Sequence, residues 1–441
     1  MLNHTLQEAG IAISRRIGFA VIGLLGTAAL YAEGILKDGL LEIPLLIPIL
    51  WVMVSQSFGN REKGMMVVLS MACLTLVACD LLARPFAAPY LHYNPANMFS
   101  RKLPNLSILG RWDADVYYQG PAYGDLAAMK GEEKWREIRD QVFQTDSAGF
   151  RNATLHQPVD LILLGDSFTA GIGTSQDKLF SRLLEDRYGR SVYNMGYPGG
   201  PYDEYLNFAI ESPKLDVSSH AEIVWVFYEG NDLDDPGGET WDLPALPWQS
   251  RIGAGLVRWR TFRNRSPINQ IMESIRKRTQ GDIGEVIVRA LPDGRSFLFA
   301  GWQEVWGTRS QAEIEAHANF QRLGRTMEAM QRLATERHVG VSVLIMPTKG
   351  QVYRWVLDQR QPVPEDLQPS SFARSVLELC DRLHFRCFDL KAYLATEAIR
   401  MYRSSGELLW WRDDTHLGEL GHEAMAAFIS QHVLNSRSNS V

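Results

Sequence analysis

The sequence has few cysteines and little net charge, and it contains neither an internal repeat nor a low-complexity tract. Four cysteines in 441 residues are too few for a disulfide scaffold. The net charge of -6 is small for this length and gives no indication of a nucleic-acid partner. The chain is, however, longer than one average domain and long enough to bury a sizeable core.

Charged residues are also missing from three N-terminal stretches, 17–32, 43–58 and 64–79. Each is somewhat shorter than the ~20 residues that cross a bilayer, and a few flanking residues complete each one. We therefore predict that residues 1–86 form a membrane region with three transmembrane helices. A single span, a cleaved signal peptide in the first stretch and a buried core helix at 43–58 are the alternatives.

Basic residues around these stretches predict the orientation. Arg15 and Arg16 precede the first stretch, Arg61 and Lys63 lie between the second and third, and only Lys37 lies between the first and second. The positive-inside rule then places the N-terminus in the cytoplasm. We expect everything after the third stretch to lie on the outer side of the cytoplasmic (inner) membrane. In that oxidising setting Cys380 and Cys387 would be able to pair, although two ordinary buried thiols are an equal alternative.

The remaining chain changes character near residue 156. Residues 87–155 are punctuated by proline and glycine and are interpreted as a lead-in or linker. From 156 to 441, short apolar runs alternate with helical periodicity. The predicted strands are 159–164, 191–195, 222–228, 340–346 and 386–390, and the predicted helices are 177–188, 202–211, 311–337, 371–383 and 418–433. This alternation predicts an α/β domain with a parallel sheet and chemistry at the carboxyl ends of its strands.

One segment interrupts the alternation. Residues 236–310 contain glycine, proline and tryptophan, and a basic run extends from 251 to 278. We interpret the segment as a solvated helical insertion. Contact of its basic, partly apolar run with an anionic membrane surface is the alternative.

Two short motifs supply the residues of a nucleophilic mechanism. Gly165, Asp166 and Ser167 follow the first predicted strand, so the serine hydroxyl would emerge at the end of the strand. A serine needs a base to remove its proton, and His416 near the C-terminus is of the right type. Asp413 precedes that histidine by three residues and would orient its ring, with Asp414 as the alternative acid.

Acyl transfer also requires donors to a developing oxyanion. Gly196 follows the second predicted strand, and its backbone N–H is one candidate. Asn231 follows the third, and its side-chain amide is another.

Serine, glycine, asparagine and histidine in this order resemble the SGNH (GDSL-like) hydrolase superfamily, over residues 146 to the C-terminus. The second glycine of a Gly-x-Ser-x-Gly motif is missing because Thr169 stands there, which argues against the α/β-hydrolase fold. The resemblance implies a flavodoxin-like three-layer α/β/α domain, a Ser167–His416–Asp413 triad, an acyl-enzyme intermediate and no metal or organic cofactor. It also implies an oxyanion hole formed by the backbone N–H groups of Ser167 and Gly196 and the side-chain amide of Asn231. A Pro-x-Lys-x-x-Val-Tyr segment around Lys349 resembles one in envelope polysaccharide O-acetyltransferases of the superfamily, so Lys349 is a candidate substrate contact.

The function expected from these features is that of a membrane-anchored esterase or deacylase acting on O-acyl groups of an envelope polysaccharide. An O-acyltransferase would use the same triad and would need a partner protein to supply acyl groups. A lysophospholipase or thioesterase, and an inactive carbohydrate-binding scaffold, are further alternatives.

Overall fold

The computed structural model describes residues 94–103, 106–154, 156–234 and 286–434, together with Pro267 and some positions between 71 and 83. The first two predicted membrane stretches, most of the third and most of the 236–310 insertion lie outside the described residues. No helix in the described part of the chain is long and apolar enough to cross a membrane. The larger of two compact units comprises residues 92–245 and 282–441, and the following description concerns that unit.

Strands and helices alternate through most of this unit. The strands are β1 (Ser100–Leu103), β2 (Leu106–Trp112), β3 (Tyr117–Ala122), β4 (Arg139–Gln144), β5 (Val159–Leu164), β6 (Val192–Asn194), β7 (Val217–Tyr228), β8 (Val286–Ala290), β9 (Ser296–Ala300), β10 (Gly340–Met346) and β11 (Arg386–Asp389). The helices are α1 (Pro95–Phe99), α2 (Asp125–Lys130), α3 (Ser167–Ala170), α4 (Phe180–Tyr188), α5 (Pro201–Glu211), α6 (Gln311–Ala316), α7 (Ala318–Glu336), α8 (Lys349–Val352), α9 (Arg354–Leu357), α10 (Ser371–Leu383), α11 (Lys391–Ser405) and α12 (Glu419–Phe428).

A five-stranded parallel sheet in the order β11-β10-β7-β5-β6 forms the centre of the unit. Its apolar strands are buried on both faces, as the near-continuous apolar runs predict. Successive side chains of a strand point to opposite faces. Leu161 and Leu163 accordingly join one core cluster with residues of α4, α11 and α12, whereas Ile162 and Leu164 join a second with residues of α5, α7 and α10. These three layers agree with the predicted α/β/α arrangement.

The segment interpreted as a linker is folded onto this sheet domain. Two antiparallel hairpins, β1–β2 and β3–β4, occupy most of residues 100–144. Trp112 of β2 and Phe143 of β4 are buried in one cluster with Ala170 and Ile172, which lie three and five residues after the predicted nucleophile Ser167. Within its described residues, 87–155 is therefore not a linker, because its apolar side chains complete the packing around α3.

Two further features differ from or add to the predictions. The predicted helix 311–337 is two helices, because the chain turns at His317, whose side chain accepts a hydrogen bond from the Asn319 N–H and caps α7. Cys380 at the end of α10 and Cys387 in β11 form a disulfide. The two cysteines are therefore paired in the structure and are not two free buried thiols.

Candidate active site

The turn after β5 presents Ser167. Gly165 has φ +151°, and a Cβ there would lie 2.1 Å from Thr169 Oγ1, so only glycine fits without strain. The Asp166 carboxylate accepts a hydrogen bond from the Phe168 N–H at 2.9 Å and caps α3. Ser167 is therefore the first residue of a short helix, held at the carboxyl end of β5.

His416 lies between the serine and an aspartate. Its Nε2 atom is 2.9 Å from Ser167 Oγ, and its Nδ1 atom is 2.7 Å from Asp414 Oδ1. Ser167 and His416 are each 9% exposed. The serine hydroxyl thus has a base within hydrogen-bonding distance, and the base has a carboxylate that fixes its tautomer.

The acid beside His416 is Asp414 and not Asp413, so the preferred sequence assignment was wrong. The Asp413 carboxylate accepts hydrogen bonds from the backbone N–H groups of Gly124 at 2.7 Å and Glu137 at 2.8 Å, and pairs with Arg139 at 3.0 Å. These donors come from the segment interpreted as a linker. They draw Asp413 towards the hairpin and leave the next carboxylate to face the imidazole.

Arg139 connects the two aspartates. Its guanidinium donates to Asp413 Oδ1 at 3.0 Å and to Asp414 Oδ2 at 2.7 Å, and it lies over the Trp411 ring. Burial would raise the pKa of Asp414, but His416 and Arg139 outweigh burial and hold that pKa well below its usual range. Burial likewise would lower the pKa of His416, yet Asp414, with smaller contributions from other acids, raises it above the ordinary value.

Asp125 is a fourth acid at the site, which the sequence analysis did not identify. It accepts hydrogen bonds from the Thr415 N–H at 2.8 Å and the Thr415 hydroxyl at 2.5 Å. Burial, followed by the Asp414 charge, raises the pKa of Asp125 to about 7. No sequence motif marks this residue, because it lies 289 positions before its neighbour Asp414.

Asp125, Asp414 and His416 place one ligand atom each within 4.8 Å of one another. All three groups already have partners: Asp414 and His416 bond each other, and Asp125 bonds Thr415. The hydrogen bonds among these residues account for the cluster.

The predicted oxyanion donors are placed differently. The Gly196 N–H donates to the Asn194 side chain at 2.9 Å and so does not point into the site, contrary to expectation. Gly196 serves close packing, because a Cβ there would lie 2.3 Å from the Ala170 backbone nitrogen. Asn231 is exposed after β7, and its side chain hydrogen-bonds the Asp166 carboxylate. Asn231 is therefore next to the nucleophile turn, as predicted.

Lys349 is a support for the histidine loop and not an exposed substrate contact. The residue is 2% exposed, and its ammonium donates to the backbone carbonyls of Trp411 at 2.8 Å, Asp414 at 2.9 Å and Arg412 at 3.3 Å. Burial lowers the pKa of Lys349 to about 7. Tyr353, the tyrosine of the Pro-x-Lys-x-x-Val-Tyr segment, also holds this loop in place. Its hydroxyl oxygen accepts a hydrogen bond from the Leu409 N–H at 2.8 Å.

Comparisons with known proteins give only distant similarities. No protein-family model matches the chain, and no curated protein matches it. A solved structure described as a lipolytic protein of the G-D-S-L family from Desulfitobacterium hafniense DCB-2 is 11% identical, with 62% of this chain and 97% of that chain covered and a TM-score of 0.31. A member of the same family from Veillonella parvula DSM 2008 is 10% identical, with 62% and 96% covered and a TM-score of 0.29. Similarity at this level establishes neither family membership nor an activity for this chain.

Proposed function

We propose that this protein is a serine-dependent esterase that removes O-acyl groups through an acyl-enzyme. The observation that carries the proposal is the continuous chain of hydrogen bonds from Ser167 to His416 to Asp414, with distances of 2.9 Å and 2.7 Å. A serine, a histidine and a carboxylate joined in this order form a nucleophile, a general base and the group that orients the base.

The mechanism follows from the atoms that face each other. Ser167 Oγ attacks the acyl carbonyl carbon while its proton passes to His416 Nε2. The ion pair with Asp414 stabilises the resulting imidazolium, which then gives the proton to the departing alcohol oxygen. A water molecule next loses a proton to His416 and attacks the acyl-serine, which releases the carboxylic acid and regenerates Ser167.

The developing oxyanion needs donors that are not already engaged. The N–H of Ser167 opens α3 and has no partner within the helix. The side-chain amide of Asn231 has two N–H donors, so it can bond Asp166 with one and offer the other beside the same turn. The Gly196 N–H already donates to the Asn194 side chain, so it does not serve as one of these donors.

We further propose that the acyl group is short and that it is carried by an envelope polysaccharide. Ser167 and His416 are only 9% exposed each, which suits a small acyl group at the end of a polar substrate better than a long lipid chain. Neither residue lines the cavity of about 570 Å³ that is formed by the end of β8, α9 and α11. The Cys380–Cys387 disulfide supports a location outside the cytoplasm, as do the basic residues near the N-terminus. The proposed anchor is the membrane region 1–86.

An O-acyltransferase is the second candidate, favoured by the same low exposure of Ser167 and His416. Limited access for water would lengthen the life of the acyl-enzyme, so that an acceptor hydroxyl could resolve it. The two activities differ only in the nucleophile of the second step. A transferase would also need a partner protein that supplies acyl groups.

The test uses full-length protein and its Ser167→Ala variant with nitrophenyl esters of two to twelve carbons. We expect the wild type to favour acetyl and the variant to lose at least about 10³-fold in rate. Equal rates in the two proteins would contradict the assignment of Ser167, and a preference for the longest chain would replace the polysaccharide substrate with a lipid. Faster nitrophenol release on addition of oligosaccharide, together with an acylated oligosaccharide in the mass spectrum, would establish a transferase. If neither turnover nor an acyl-Ser167 adduct is found, with or without the acceptor, the result would favour the inactive carbohydrate-binding scaffold.

A further inference from the structure

A cavity lined by described residues lies beside the end of β8, and no residue of the triad lines it. Its volume is about 570 Å³, within the range of roughly 300–1,000 Å³ that is typical of ligand sites. Its wall is formed by the end of β8, by α9 and the loop that follows it, and by α11. None of these residues contributes to the mechanism above, so the cavity needs an explanation of its own.

The wall combines aromatic rings with polar groups. The rings of Trp355 and Tyr402 have centroids 5.3 Å apart at an interplanar angle of 51°. Gln361, Arg360 and Arg403 also line the cavity, and none of its described lining residues is acidic. A wall for a hydrocarbon chain would be uniformly apolar. Here amides and guanidinium groups stand beside aromatic faces, which suits a ligand with both C–H faces and polar edges.

Two of these groups lack partners within the described part of the chain. The Trp355 indole N–H is buried and makes no hydrogen bond there. The Arg403 guanidinium belongs to an exposed residue and has no hydrogen bond or ion pair to a described residue. In contrast, Arg360 is held by Asp358 and Asp366. An unpaired buried donor is unfavourable unless a ligand supplies the acceptor, and an unpaired guanidinium suits a carboxylate.

We propose that this cavity is an accessory binding site for a short segment of an acidic polysaccharide. Sugar rings stack on Trp355 and Tyr402, a ring hydroxyl accepts the indole N–H after a small shift of the side chain, and a sugar carboxylate pairs with Arg403. The site holds the polymer while another part of it reaches Ser167. The polymer's role as substrate rests on the proposed function, whereas binding in the cavity does not.

Binding is tested with full-length protein carrying Ser167→Ala, so that the oligosaccharide is not altered. The probes are a hexamer of uronic acid and a neutral hexamer of glucose, titrated calorimetrically. Arg403→Gln removes the free guanidinium. Arg400→Gln is the matched control, because Arg400 is an exposed arginine of the same helix that is paired with Glu397 and does not line the cavity. Trp355→Leu tests the aromatic wall.

We expect saturable binding of the acidic hexamer, weakened at least tenfold by Arg403→Gln and by Trp355→Leu and unchanged by Arg400→Gln. The neutral hexamer should bind at least tenfold more weakly than the acidic one. Equal losses in Arg403→Gln and Arg400→Gln, or no saturable binding of the acidic hexamer, would overturn the proposal. So would a long-chain fatty acid that binds in the cavity more tightly than the hexamer, because the occupant would then be a lipid.

A failure of the esterase proposal remains distinguishable from a failure of this site. In protein with Ser167 intact, Arg403→Gln should leave hydrolysis of a nitrophenyl ester unchanged while raising the KM for an acylated acidic polymer. Binding of the hexamer without any ester hydrolysis would refute only the esterase proposal. Hydrolysis without binding of the hexamer would refute only the accessory site.

Discussion

His416 Nδ1 lies 2.7 Å from Asp414 Oδ1, whereas the preceding residue, Asp413, directs its carboxylate to the backbone of Gly124 and Glu137. Two adjacent aspartates thus have separate roles. Asp414 is hydrogen-bonded to the His416 ring, and Asp413 attaches the histidine loop to the hairpin segment that precedes the sheet domain. Substitutions at the two positions should therefore have different consequences.

Asp414→Asn should lower kcat by about 10³- to 10⁴-fold, because the amide no longer stabilises the imidazolium or selects its tautomer. Asp413→Asn should affect chiefly folding, with a loss of about 1–3 kcal/mol because buried donors lose a charged acceptor. Steady-state kinetics and denaturant unfolding of both variants measure this. A larger kcat loss in Asp413→Asn than in Asp414→Asn would restore the assignment of Asp413 to the triad.

Arg139→Met should destabilise the protein by about 3–5 kcal/mol, because two buried carboxylates lose their shared cation. Without the guanidinium the pKa of Asp414 should rise, so the loss of activity should grow as the pH falls. Arg139→Lys should be more stable than Arg139→Met, because it keeps the positive charge. It should remain less stable than wild type, because an ammonium lacks the planar fork with which the guanidinium bonds both carboxylates. Arg136→Met, on the same segment, is the control and should leave both properties near wild type. Unchanged unfolding in Arg139→Met would contradict a supporting role.

Asp125→Asn should shift the acidic limb of the kcat/KM profile to lower pH. The Asp125 charge contributes to the raised pKa of His416, so its removal lets the base become neutral at lower pH. Asp140→Asn, an exposed substitution on β4, is the control. A shift to higher pH in Asp125→Asn, or an equal shift in both variants, would contradict the account.

Asp125 also predicts a pH dependence of stability. Its folded pKa of about 7 lies above the value of about 3.9 in an unfolded chain, so between these limits the folded state holds a proton that the unfolded state has lost. The contribution of Asp125 to stability therefore falls as the pH rises from about 4 to about 7. The Tm of Asp125→Asn relative to wild type should rise over this interval. A constant difference in Tm would show that Asp125 keeps an ordinary pKa in the folded protein.

Lys349→Met should lower kcat and stability together while leaving KM for a small ester nearly unchanged. The lysine holds three carbonyls of the 411–414 segment, so its loss frees the loop that carries His416. Steady-state kinetics with a nitrophenyl ester give kcat and KM, and thermal unfolding gives the change in stability. A rise in KM with unchanged kcat and Tm would identify Lys349 as a substrate contact after all.

Much of the sheet domain could be predicted from sequence because its strands are buried on both faces. The runs at β5 and β10 have the predicted bounds, and α10 agrees with its prediction, since its apolar stripe is wide and Ser370 caps it. β7 begins five residues before its prediction. Its first part, Val217–His220, is mostly polar and therefore carries no apolar signal. Helix α11 was missed because only Leu394, Ala395 and Ala398 of its 15 residues are buried, so its apolar stripe is narrow.

Site residues that lie in short sequence motifs could be predicted from the sequence. Ser167 and His416 lie in recognisable segments, and the structure places them together. The choice between Asp413 and Asp414 depended instead on Gly124, Glu137 and Arg139, which lie more than 270 positions earlier in the chain. Gly196 was misassigned because a glycine can serve either close packing or donation, and only the position of Asn194 decides between them.

The most direct test of the account is labelling of the full-length protein with a fluorophosphonate, followed by peptide mass mapping. Such a probe reacts only with a serine whose hydroxyl is activated by a base. The account predicts one adduct, on Ser167, which is lost in His416→Ala and strongly slowed in Asp414→Asn but formed at nearly the wild-type rate in folded Asp413→Asn. An unlabelled Ser167 in folded wild-type protein, or labelling that is indifferent to His416, would contradict the central claim that this serine is the nucleophile.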